Sequence, residues 1–180
     1  MRRAWLSLLS LAACVTAGPR EVPQADGIFV RVNRIAGDTS LFSSAERVVP
    51  GAGCGCRALT VQAAVVRGDT SLAGRVWLYF STTSTDWQFL RAHDLTLLLD
   101  GSTRIRPETG QNGEVSTGYT TAIVDEQVIA PLTPAQFQQV AAARTVEGQL
   151  GGVQFSFSAA SLAGFRALAA RLRTHPIANQ

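Results

Sequence analysis

Thr145-Val146-Glu147-Gly148-Gln149-Leu150-Gly151-Gly152-Val153-Gln154-Phe155-Ser156-Phe157-Ser158 reads as two strands joined by a two-residue glycine turn. Val153, Phe155 and Phe157 alternate onto one face, the period of a half-buried strand. A two-residue hairpin turn needs positive φ, which glycine adopts without a Cβ penalty. The segments on either side change period. Leu132-Thr133-Pro134 opens a helix, with Thr133 at the N-cap and Pro134 at the first helical position. Phe137, Val140, Ala141 and Arg144 recur there at three and four residues. After the hairpin, Ser158 or Ser161 caps a second helix, whose stripe is Leu162, Phe165, Leu168 or Ala169, and Leu172. Arg166 falls off that stripe, so its truncation to alanine is expected to cost little.

Upstream the pattern is strand-like. Ile28–Val32, Leu59–Val66 and Arg75–Phe80 read as strands, the last apolar on both faces. In Asp94–Gly101, Leu95, Leu97 and Leu99 share one face and a turn follows. Ser81–Asp86 and Gly110–Gly113 read as loops, and Tyr119–Ile129 is β-rich. Gly37-Asp38-Thr39-Ser40-Leu41 returns as Gly68-Asp69-Thr70-Ser71-Leu72, read as two similar turns rather than a duplication. Strands, helix, hairpin, helix, with short connections, predict an α+β fold. Its expected form is an antiparallel sheet with two helices in the C-terminal third packed on one face.

The other end of the chain bears on location. Met1-Arg2-Arg3-Ala4-Trp5-Leu6-Ser7-Leu8-Leu9-Ser10-Leu11-Ala12-Ala13-Cys14 has a basic start, a short apolar centre and small residues before a cysteine. Ala4–Ala13 is too short for a bilayer core of about 30 Å. Leu11-Ala12-Ala13-Cys14 resembles the lipobox of bacterial lipoprotein signal peptides, a resemblance confined to residues 1–15. It implies that Cys14 carries a diacylglycerol thioether and becomes the N-terminus, so that the protein's partner is a membrane. Val15, where that family's sorting rule would have Asp for inner-membrane retention, implies an outer membrane facing the periplasm in a Gram-negative host. An ordinary secretory signal is the alternative. No Ser or Thr precedes Arg2-Arg3, so the general secretory route is favoured over twin-arginine export. The expected organisation is 1–13 signal peptide, 14–26 flexible tether, 27–174 a single domain and 175–180 tail.

Losing Arg2 and Arg3 with the signal leaves 14 basic against 13 acidic residues, a net charge of +1. That excess cannot hold nucleic acid electrostatically. Cys54-Gly55-Cys56, in a glycine-rich loop, supplies the remaining thiols. Paired cysteines of an exported chain are normally oxidised, so a small structural disulfide between Cys54 and Cys56 is expected. The alternatives are a redox-active pair, soft-metal binding, a free pair, or bonding to another chain.

Hydrolase chemistry finds little support. Gly-x-Ser-x-Gly and His-Glu-x-x-His are missing, and Ser-x-x-Lys is impossible in a chain without lysine. His93-Asp94 and Asp125-Glu126 are adjacent, so on strands their side chains diverge. Trp77, Tyr79 and Trp87 read as core or sheet-face residues, with an aromatic site as the alternative. No catalytic residue, metal ligand set or cofactor is assigned. The sequence therefore predicts a lipid-anchored envelope protein, a non-enzymatic binding or assembly module with an envelope protein partner. The alternative is a thiol-based redox or metal-handling protein using Cys54 and Cys56.

Overall fold

The computed structural model describes residues 20–24, 26–33, 38–51, 58–67, 74–117 and 122–174. In chain order these form β1 (Arg20–Pro23), β2 (Phe29–Asn33), β3 (Asp38–Phe42), β4 (Glu46–Arg47), β5 (Val49–Pro50), β6 (Leu59–Arg67), β7 (Val76–Ser84), β8 (Leu95–Leu99), β9 (Thr103–Ile105), β10 (Gly110–Thr117) and β11 (Ala122–Leu132). Then come α1 (Pro134–Ala142), β12 (Val146–Leu150), β13 (Val153–Ser156) and α2 (Ala159–Thr174).

The strands build two antiparallel sheets, which overturns the α+β expectation of one sheet carrying both helices. The larger runs β1-β2-β3-β6-β7-β11-β10, with β4 also on β6; the smaller runs β5-β13-β12-β8-β9. The hairpin β12–β13 pairs with β8 and β5, not with the long strands. A period of two shows that a segment is a strand, but not which sheet it joins. The fold is therefore sheet-dominated, and the two helices pack chiefly on each other. Phe137 of α1 meets Phe165 of α2 with ring centroids 5.7 Å apart.

The inner faces of the two sheets meet in one core. Phe80 of β7 lies 5.4 Å from Phe155 of β13, and Phe157 lies 5.4 Å edge-on to Phe165. Gly148 makes room for this, since a Cβ there would sit 2.2 Å from the Phe155 ring. In the β12–β13 turn Gly151 takes φ +54, and a Cβ would lie 2.3 Å from the Ala92 carbonyl oxygen.

Local signals explain the helix ends. The Thr133 hydroxyl accepts the Gln136 N–H, and the Gln136 side chain accepts the Thr133 N–H, a capping box. Ser158, not Ser161, caps α2, accepting the Ser161 N–H at 3.0 Å. Phe137, Val140 and Ala141, with Leu162, Phe165, Leu168, Ala169 and Leu172, are buried. Helix α1 stops before Arg144, and Arg166 is not idle. Its guanidinium donates to the carbonyls of Ala141 and Ala143 at 3.1 and 2.9 Å, closing the α1 C-terminus.

Four segments differ from the sequence reading. β7 continues through Ser84, because β11 and β6 flank this Ser/Thr run and Thr82 and Ser84 point inward. Gly110–Gly113 starts β10, held by β11 despite its weak strand propensity. Asp38–Leu41 lies in β3, not in a turn. Arg20–Pro23, within the stretch read as tether, is a strand paired with β2.

Asp100-Gly101 turns β8 into β9, with φ of +48 and +69. Asp100 Oδ1 accepts the N–H groups of Arg144 and Thr145, both at 2.9 Å. The Thr145 N–H foremost holds the Asp100 carboxyl below its usual range. The Arg144 N–H, the Thr145 hydroxyl and the Arg144 charge add to this, against some desolvation. A depressed folded pKa gives stability that is present above the unfolded value, about 3.9, and lost as pH falls through the folded value. Asp100→Asn keeps an acceptor oxygen but cannot titrate. Its stability should fall less steeply than that of the parent in acid melting series below about pH 4; parallel curves would contradict this role.

Candidate functional site

The residues singled out as sites in the sequence, Cys14, Cys54 and Cys56, lie outside the described residues. What brackets the cysteine pair is described. The Gly51 N–H donates to the Gln154 carbonyl at 2.6 Å on the small sheet. The Ala58 carbonyl accepts the Thr82 hydroxyl at 2.8 Å beside the large one.

A hollow of about 580 Å³ lies on the outer face of the small sheet. Strand register builds it. One row across the strands is Val49, Ser156, Glu147, Leu98 and Arg104. The next is Gln154, Gln149 and Thr96, with Arg106 at the rim. Arg104 and Arg106 are both exposed and, two apart, fall on one side of the chain about 7 Å apart. Glu147 stands two strands from Arg104, about 10 Å away at normal strand spacing. The lining offers guanidinium donors at one side, amides and hydroxyls in the middle, and one carboxylate. No His or Cys lines it. This chemistry suits holding a polar ligand with an anionic group near the two arginines.

The other sequence candidates are dispersed. Trp77 and Tyr79 are half-buried on the outer face of the large sheet. Burial pushes the Tyr79 hydroxyl up, partly offset by the Arg31 charge. Trp87 sits on the opposite side, over Gly113, where a Cβ would lie 2.5 Å from its ring. His93 Nδ1 is 3.2 Å from the Phe89 carbonyl, and Asp94 is exposed. Asp125 faces out and accepts the Thr83 hydroxyl at 2.5 Å. Among the described residues no three or more His, Cys, Asp or Glu gather as a metal site.

Glu126 is the residue that sequence reading missed. It is 2% exposed. Its carboxylate accepts the N–H groups of Gln88 and Phe89 at 2.5 and 3.0 Å, and the Gln111 amide at 3.4 Å. It clamps the loop between β7 and β8. The only local signal was a carboxylate at an inward position between the apolar Val124 and Val128. No family model matches this chain, and no curated protein or solved structure is found to be similar to it.

Proposed function

We propose that this chain is a lipid-anchored protein of the bacterial cell envelope, cut before Cys14 and acylated there, whose sheet domain is a non-enzymatic binding or assembly module. The observation that carries the anchor is Leu11-Ala12-Ala13-Cys14 behind a basic and apolar leader. Among the described residues no helix is long and apolar enough to cross a membrane, so stable attachment would fall to acyl chains. Two or three such chains anchor firmly where one is marginal. The hollow with Arg104 and Arg106 supports the binding reading. Strand β1 begins six residues after Cys14, and six residues reach at most about 20 Å. The β1 edge of the large sheet would therefore face the anchoring membrane, which is the outer membrane on its periplasmic side if the host is Gram-negative.

Cys14→Ser tests the reading. Radiolabelled palmitate should enter the parent and not the variant, and the variant should leave the detergent-extractable membrane fraction. Equal label in both, or full membrane retention of the variant, would overturn the anchor.

A further inference from the structure

We propose that β10 is a docking strand, which an extended, basic segment of a partner protein joins by antiparallel pairing. The proposal deepens the binding-module reading and rests on it.

The edges of the two sheets are unequal. Exposed strand edges invite pairing, and proteins blunt them with short strands, proline, positive charge or bulges. Among the described residues, β1, β5, β9 and β10 end the two strand orders. β1 has four residues and ends in Pro23; β5 has two and ends in Pro50. β9 has three residues, with Pro107 two positions beyond Ile105. β10 has eight residues, without proline or a basic side chain. It pairs with β11 in unbroken register from Gly110↔Ile129 to Thr117↔Ala122, so no bulge bends it. Seven of its eight residues are exposed, including Val115 at 47%. Gly113 and the Trp87 ring that fills its Cβ space support the strand from within.

Charge selects the occupant. From Pro107 to Ala143 the sequence holds Glu108, Glu114, Asp125 and Glu126 and no Arg, Lys or His. Glu114 and Asp125 stand directly opposite each other on β10 and β11. Like charges so placed are destabilising. They border a hollow of about 440 Å³ with Asn112, Gln127 and Thr83. A cation on an added strand beside Glu114 would relieve that repulsion. A second copy pairing through β10 would instead bring two acid-only edges together. Main-chain hydrogen bonds would supply affinity and the hollow side-chain specificity. Six strand spacings separate β1 from β10, about 29 Å, so the docking edge points away from the anchored one.

The test titrates the full lipidated protein in detergent with synthetic peptides of about ten residues, following amide exchange over Gly110–Thr117. Alternating Arg-Val peptide should bind and protect β10. Arg-Val peptide N-methylated at every residue, of equal charge but unable to donate a main-chain N–H, should bind at least tenfold more weakly, and Glu-Val peptide should not bind. Glu114→Arg, exposed and outside the core, should weaken Arg-Val binding at least tenfold. Equal affinity for the Arg-Val peptide and its N-methylated form, an unchanged Glu114→Arg, or β10 protected by dimerisation alone would each overturn the proposal. Palmitate label with no peptide binding defeats docking alone. Peptide binding without label defeats only the anchor.

Discussion

Phe165→Ala should destabilise the protein by about 3–5 kcal/mol, the usual cost of deleting a buried phenylalanine. Phe165 is fully buried on α2. Its ring tilts against Phe137 of α1 at 5.7 Å and meets Phe157 edge-on at 5.4 Å. One side chain thus joins both helices to the aromatic stack that runs through Phe155 and Phe80 to the large sheet. Truncation leaves a cavity whose walls belong to separate elements and cannot collapse together. Arg166→Ala is the control with a different mechanism. It removes two hydrogen bonds to the carbonyls closing α1, worth about 1 kcal/mol net because the groups are partly solvated. Urea unfolding of both variants should show the larger loss at Phe165. Equal losses would mean that α2 is not held through this face.

Glu126→Ala should also destabilise the protein, by about 1–3 kcal/mol for each buried donor that it strips of its acceptor. The N–H groups of Gln88 and Phe89 would be left without their carboxylate, and Phe89 is itself buried. Removing the clamp should also free the loop locally. Arg91 is exposed in that loop, so trypsin should cut there faster in the variant than in the parent. Glu126→Gln, which keeps one acceptor oxygen, should fall between the two. Unchanged melting together with unchanged cleavage at Arg91 would show that Glu126 does not hold the loop.

The parts of the fold legible in the sequence are those written in neighbouring residues. Thr133-Pro134 with Gln136 marks a helix start within four positions. Gly151-Gly152 between alternating runs marks a hairpin. The stripe from Leu162 to Leu172 gives the buried face of α2. The illegible parts depend on distant partners. Nothing near Leu97 says that it pairs with Gly148 rather than with a long strand. Gly110–Gly113 resembles a loop until β11 supplies its ladder and Trp87 covers Gly113. Asp125 and Glu126 were legible as pointing apart. Which one is buried depends on a loop almost forty residues earlier. The hollow of the small sheet was likewise hidden, since Arg104, Leu98, Glu147 and Ser156 become neighbours only through register.

The most direct measurement of the central claim is the mass of the N-terminal peptide of the mature protein, isolated from membranes and digested with trypsin. The expected fragment begins at Cys14, ends at Arg20 and carries the added mass of a diacylglyceryl group, with or without a further acyl chain on its amine. An unmodified fragment beginning at Cys14, Val15 or beyond, or a chain that retains Met1, would contradict lipid anchoring.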